Sequence, residues 1–271
     1  MPVPCLLRHR GLPFLGAALA LALAAFPPAS AAPGRSRLSV PSRAVAPTRI
    51  EALSRKYLGT PYKLDCLGEG KGPDSDPLFT RKYVDCQTLV EQVMAEALAE
   101  WTGGQDRAVR LIRYHHEDVR LENRYHYCLP DWLENPWPVA DITAKVGGKP
   151  VESIRRRIDR PRFLASRGGD PGASPMPAET VRTEYIPRAR IPAIEANIPD
   201  GSIGVWVLTR PDIVAGHLGF LFRKDGHVIF RHASQTRKQV VDEPLLAYLA
   251  RAPSKFMGMK ILQPDVSGLQ R

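Results

Sequence analysis

A cysteine and two histidines carry the chemistry that this sequence offers. Cys86 stands in Tyr83-Val84-Asp85-Cys86-Gln87-Thr88-Leu89-Val90-Glu91, where a loop turns into a helix. Leu89, Val90, Val93, Ala97 and Leu98 follow at helical spacing and form one apolar stripe. Asp85 is a good N-cap residue, so Cys86 is expected as the first helical residue. Unpaired N–H groups and the positive end of the helix dipole favour an anion there, so a thiolate, the nucleophilic form, is expected. The plain alternative is a small cysteine buried in a core helix.

His217 and His232 lie in two β-branched and aromatic runs joined through Asp225-Gly226, a hairpin signal. A two-residue turn sets His217 opposite Ser234 and diagonal to His232. A four-residue loop from Arg223 to Gly226 sets it opposite His232. Either register puts both imidazoles on one face, about 5 to 8 Å apart, whereas a three-residue loop would separate them. A base and its orienter need such an arrangement: His217 takes the Cys86 proton, and His232 holds the ring of His217 in one tautomer. Gly219 between them would leave room for a substrate. The alternative is two half-buried histidines packed on a helix. Metal binding is a further use of such side chains, with His115, His116, His126, Cys128 and His227 as donors. No H-E-x-x-H or paired C-x-x-C spacing is present, and neither metal nor organic cofactor is expected.

The elements that must position these groups read as helices first and strands afterwards. Thr48 to Leu58 is expected helical, stopped by Gly59 and Pro61; Asp85 to Trp101 is the central helix; Arg107 to Tyr114 is a shorter one. Segments 203–208, 217–222, 228–233, 239–241 and 257–262 read as strands, with one or two helical turns at 245–249. That order predicts an α+β fold with one antiparallel sheet. Residues 166–178, rich in Gly, Pro and Ser, are expected as a mobile loop or insertion.

The first residues read as an export signal. Arg8 and Arg10 precede the Leu/Ala run from Leu15 to Phe26, and Ala29-Ser30-Ala31 is a cleavage pattern. The run is too short to span a bilayer. Residues 1–31 are therefore expected to be removed, residues 32–47 to form a flexible lead-in, and residues 48–265 to form one domain. The product is expected in the periplasm or outside the cell, as a monomer with no stable membrane insertion. The chain of 271 residues has 38 Lys and Arg against 28 Asp and Glu. Loss of the two leader arginines leaves a net charge of +8 from the formal +10. Those charges are spread and not interleaved with aromatics. They suit an anionic envelope surface, and nucleic acid is not an expected partner. Three cysteines remain, and an odd count in an exported chain leaves a free thiol or an intermolecular bond. The simplest arrangement bridges Cys66 to Cys128 and keeps Cys86 reduced; three unpaired thiols is the other.

Four motifs in order resemble the NlpC/p60 cysteine amidases, papain-like enzymes of the bacterial cell wall. They are Leu58-Gly59-Thr60-Pro61-Tyr62, then Asp85-Cys86-x-Thr88-x-Val90-Glu91, then His217-Leu218-Gly219-Phe220, then His232-Ala233-Ser234. Arg124-x-His126-Tyr127 with Asp131-Trp132, and Asp141-Ile142-Thr143, are similar to segments that set apart an offshoot called N-acetylmuramoyl-L-alanine amidase-like. The resemblance spans roughly Arg49 to Gln263. It implies a papain-like fold, Cys86 as nucleophile, His217 as base and His232 as the third polar member. It also implies that Tyr62 sits beside the nucleophile, where its hydroxyl and the Cys86 N–H would hold an oxyanion. Two positions depart from the family pattern: Lys63-Leu64-Asp65-Cys66 replaces a Gly-Gly segment, and Ser202 replaces an acidic residue.

Arg124, His126, Tyr127, Asp131 and Trp132 become substrate-side candidates, an Arg or His for a peptide carboxylate and Trp132 for a sugar or acyl face. An aromatic-rich structural turn capped by Asp131 is the competing reading of that segment. Asp141 and Thr143 read mainly as structural, and Glu91 as either a buried ion pair or a binding group. The expected substrate is peptidoglycan or soluble muropeptides, cut at the amide between the N-acetylmuramic lactyl group and L-alanine. The alternatives are the γ-D-glutamyl–diamino acid bond, a non-catalytic wall-binding protein with the same fold, and a zinc amidase.

Overall fold

The structure, a computed structural model, describes residues 45–267 apart from Pro136 and Pro150. The expected leader and the lead-in as far as residue 44 lie outside the described residues. Helix α1, Pro47–Arg55, starts with proline in its first turn, where no N–H is needed. It ends before the expected Leu58, and Gly59 at φ 79° turns the chain away. Helix α2, Cys86–Thr102, opens with a reciprocal cap. The Asp85 carboxylate accepts the Thr88 N–H at 2.8 Å, and Thr88 Oγ1 accepts the Asp85 N–H at 2.8 Å. Gly103, left-handed at φ 78°, closes it. Leu89, Val90, Val93, Met94, Ala97 and Leu98 are fully buried on α2, the larger of them contributing about 1.5–3 kcal/mol each. Helix α3, Gln105–Arg113, packs beside α2.

The chain then runs through α4, Cys128–Glu134; β1, Val139–Asp141; α5, Thr143–Gly147; β2, Glu152–Ile158; α6, Arg160–Ser166; β3, Glu179–Pro187; and α7, Ile191–Ile194. The last third is β4, Ser202–Leu208; β5, Ala215–Lys224; β6, His227–Ser234; β7, Gln239–Pro244; α8, Leu245–Arg251; and β8, Phe256–Pro264. These strands form one antiparallel sheet in the order β2-β3-β8-β4-β5-β6-β7, with β1 paired to β8. The five expected strands are β4 to β8. Strands β2 and β3, which the sequence reading did not foresee, flank residues 166–178 and extend the sheet. The connection at 166–178 holds a short turn at Pro171–Ala173 and is pinned by the buried side chain of Met176.

Alternation along the strands gives the sheet two apolar faces. Ile203, Val205, Leu218, Phe220, Phe222 and Ala233 join the core of α1 and α2. Trp206, Leu221, Phe230, Phe256, Met259 and Ile261 face α8, α7 and α5. The sheet is thus covered on both sides.

Candidate active site

The β5–β6 turn is the two-residue one. Asp225 and Gly226 take φ 50° and 82°, and Lys224 pairs with His227. Positive φ at both turn residues is what a tight hairpin with the native strand twist requires. Paired positions run back to Phe220–Arg231, so His217 and His232 fall on one face. His217 Nε2 lies 2.7 Å from His232 Nδ1, the rings nearly perpendicular at 87°. Phe230 stacks on His232 at 4.6 Å, and Tyr248 of α8 stacks on His217 at 5.9 Å. Burial pushes the His217 imidazole down to about 4, helped by the Lys255 charge. It pushes His232 down to about 2, with His217 and Arg251 adding to the effect. Both rings are therefore neutral at pH 7.

Gly219 does not leave space for a substrate. A methyl group there would meet Arg231 O at 2.4 Å and His232 Cβ at 2.8 Å. Its role is to let β6 approach closely and deliver His232 to His217.

Cys86 is the first residue of α2 and half-buried. Burial and the Asp85 charge push its thiol up to about 12, against the backbone N–H groups of Leu218, Gln87 and Cys86 itself. The expected resting thiolate is thus corrected. The helix N-terminus does stabilise the anion, but desolvation outweighs it. The donor at Leu218 sets the sulfur against β5, one residue from His217. Among the described residues no hydrogen bond joins Cys86 directly to the His217 ring. Tyr62 bridges to Val84, two residues before the nucleophile, and burial with the Cys86 charge raises its phenol. The Cys86 charge raises Tyr248 as well.

Two cavities border these elements. One of about 260 Å³ is lined by Asp85, Gln87, Glu91, Arg113, Arg124 and His126, among others. The other, about 330 Å³, is lined by residues that include His217, His232, Arg237, Glu243, Tyr248 and Lys255. Neighbours of Cys86 in sequence line the first, and the imidazoles line the second.

The substrate-side candidates divide. Arg124, His126 and Tyr127 border cavities. Arg124 is nonetheless committed to internal carboxylates, donating at 2.7 Å to Glu69 and to Asp74. His126 Nε2 meets Leu121 O at 2.9 Å, and burial, with the Arg124 charge, drives its ring down to about 3. Asp131 and Trp132 are corrections, since neither can reach a substrate. Asp131 is wholly buried, accepts two hydrogen bonds from Arg160 at 2.8 and 2.7 Å, and takes the Tyr127 N–H at 2.8 Å. Trp132 is 1% exposed and stacks on Trp137 at 4.1 Å. Glu91 forms a buried ion pair with Arg113 at 3.2 Å. Asp141 pairs with Lys260 and accepts the Thr143 hydroxyl at 2.6 Å.

The expected Cys66–Cys128 bridge is also corrected: Cys66, Cys86 and Cys128 are all free thiols. Cys66 lies against Thr88 Oγ1 at 3.4 Å, and Cys128 packs into the α2 core. Of the donors in the alternative metal reading, His115 and His116 lie ring against ring at 4.1 Å. Among the described residues no three His, Cys, Asp or Glu side chains converge as a metal would need. Sequence reasoning missed Tyr248 and Glu243. The first sits on a short amphipathic helix that reads as packing alone, and the second is one of many acidic residues in a strand.

Fold and site together define a mixed α/β protein whose antiparallel sheet carries a buried imidazole pair close to the N-terminal cysteine of its central helix. Residues 52–259 match the family described as AmiA-like, N-acetylmuramoyl-L-alanine amidase-like, and the chain belongs to that family. Three solved structures share the fold. A Legionella pneumophila protein of family DUF1460 is 22% identical, with a TM-score of 0.70 over 81% of this chain and 89% of its own. An N-acetylmuramoyl-L-alanine amidase from Bacteroides uniformis is 24% identical, with a TM-score of 0.66 over 81% of this chain and 98% of its own. A further structure of an amidase so named from that organism is 26% identical, with a TM-score of 0.64 over 79% and 98%. No curated protein matches the chain. Among the described residues no helix is long and apolar enough to cross a membrane.

Proposed function

We propose that this chain is an exported, papain-like cysteine amidase, related to the NlpC/p60 enzymes, that cleaves the N-acetylmuramoyl–L-alanine amide of peptidoglycan fragments. The observation that carries the reading is the 2.7 Å contact between His217 and His232, one residue along β5 from the N–H group that meets the Cys86 thiol. Family membership supplies the substrate class.

Thiol and imidazole are both neutral at rest, so proton transfer accompanies attack. His217 Nδ1, left free by the Nε2 contact, takes the Cys86 proton as sulfur adds to the lactyl carbonyl. Closing the thiol–imidazole gap belongs to the substrate complex, as catalytic hydrogen bonds commonly tighten only there. The Cys86 N–H and the Tyr62 hydroxyl receive the developing oxyanion. His217 returns the proton to the amine of L-alanine as the C–N bond breaks. Water, deprotonated by His217, then opens the thioester and frees the sugar acid and the thiol. The peptide lies along two cavities that share Gln87 and His126, one bordered by Arg124 and the other by Tyr127.

Mass spectrometry of defined muropeptides tests this. Free stem peptide and intact sugar, lost in Cys86→Ala, are the expected products. A shortened peptide still attached to sugar would mean that the γ-D-glutamyl bond is cut instead, and an unchanged substrate would mean a binding protein. Chelator-sensitive cleavage that survives Cys86→Ala would mean a zinc amidase.

A further inference from the structure

The 2.7 Å contact between His217 Nε2 and His232 Nδ1 needs one N–H and one lone pair, and by itself it allows either assignment. The far nitrogen of His232 breaks the tie. His232 is 2% exposed, and its Nε2 is a buried polar atom without a hydrogen-bond partner. What it faces is the carboxylate of Glu243 on β7, whose Oε2 lies 3.5 Å away. Glu243 is itself buried and is flanked by Arg251, in contact with Oε2, and by Arg237 Nε, 3.8 Å from Oε1.

We propose that Glu243 is a positioning residue that fixes the proton order of the whole imidazole pair. A carboxylate between two guanidinium groups offers only acceptors, so His232 carries its proton on Nε2. His232 Nδ1 then holds a lone pair and accepts from His217 Nε2–H. That leaves the lone pair of His217 on Nδ1, the only nitrogen of that ring not engaged by His232. The opposite order would put a lone pair of His232 against a carboxylate inside the protein, and it would leave N–H rather than a base on His217 Nδ1. Arg237 and Arg251 act one step further out, by holding the carboxylate toward His232.

The inference rests on the reading of Cys86 and His217 as an acyl-transfer pair, yet its test needs no substrate. Long-range ¹⁵N–¹H spectra of the side-chain imidazoles report which nitrogen of each ring carries the proton. In the wild-type protein His232 is expected protonated on Nε2 with Nδ1 bare, and His217 protonated on Nε2 with Nδ1 bare. In Glu243→Ala the His232 tautomer becomes mixed. In Glu243→Gln the amide oxygen turns to the arginines and its NH₂ to His232, so the order reverses. Muropeptide cleavage should then fall about 10–100-fold in kcat with little change in KM. Protonation of His232 on Nδ1 in the wild type overturns the proposal, as does an unchanged tautomer in a folded Glu243→Ala protein. The wild-type spectrum decides even if a variant fails to fold. Full hydrolysis by Cys86→Ala would instead remove the cysteine-nucleophile reading and leave the proton order standing.

Discussion

Strands β5 and β6 and the segment from Arg124 to Trp132 both concentrate residues that chemistry could use, and the fold treats them in opposite ways. In the strand pair, two imidazoles face each other with aromatic rings around them. In the other segment the charged groups are consumed by partners far away in sequence. Arg124 goes to Glu69 and Asp74, and Asp131 goes to Arg160. Trp132 is taken by Trp137. Residue type and local spacing are alike in promise; availability is set by what the rest of the chain brings alongside.

The sharpest way to break the comparison is Cys86→Ala. Hydrolysis of a muramoyl peptide should fall by at least about a thousandfold, as removal of a nucleophile does, while the melting temperature stays within a few degrees. An active variant would reduce the β5–β6 pair to packing. The mirror experiment is Arg160→Met. It leaves Asp131 as an uncompensated buried charge and should cost about 3–5 kcal/mol in a urea titration. Turnover per folded molecule should be unchanged; a selective loss of kcat would return Asp131 to the site.

Acid sharpens the contrast further. His126, His217 and His232 all have folded values below the ordinary 6.5, at about 3, 4 and 2. The unfolded chain therefore binds more protons than the folded one across that range. The stability these neutral rings confer is complete above about pH 6.5 and is lost as pH falls below it, at up to about 1.4 kcal/mol per pH unit for each ring. His126→Asn should flatten the slope of stability between pH 6.5 and 4 by one proton, and an unchanged slope would show that His126 is not buried neutral. The smallest effect is expected from Trp132→Phe. KM should change less than about twofold, because a stacked, buried indole touches no ligand; a KM several-fold higher would reopen the sugar-stacking role.

Much of the scaffold was legible because its signals are local. Asp85 and Thr88 cap α2 within four residues, and Asp225-Gly226 fixes the hairpin register by its own positive φ values. That turn alone was enough to put His217 and His232 on a common face. Strands β2 and β3 were not legible. In Glu152–Ile158 three consecutive arginines, 155–157, hide the alternation, since this edge strand pairs only with β3. The roles of Asp131 and Trp132 were misread for a related reason. A capped aromatic turn looks the same in sequence whether its rings face solvent or another tryptophan.

The sequence by itself determined where the cysteine opens its helix and that a two-residue Asp-Gly turn would put the two histidines on one strand face, since caps, turns and period-two alternation act over a few residues. Tertiary structure alone decided that the thiol rests protonated, that Gly219 admits a strand rather than a ligand, and that Glu243 stands behind His232. Desolvation and long-range pairing depend on what else is within a few ångströms, and no local pattern records that.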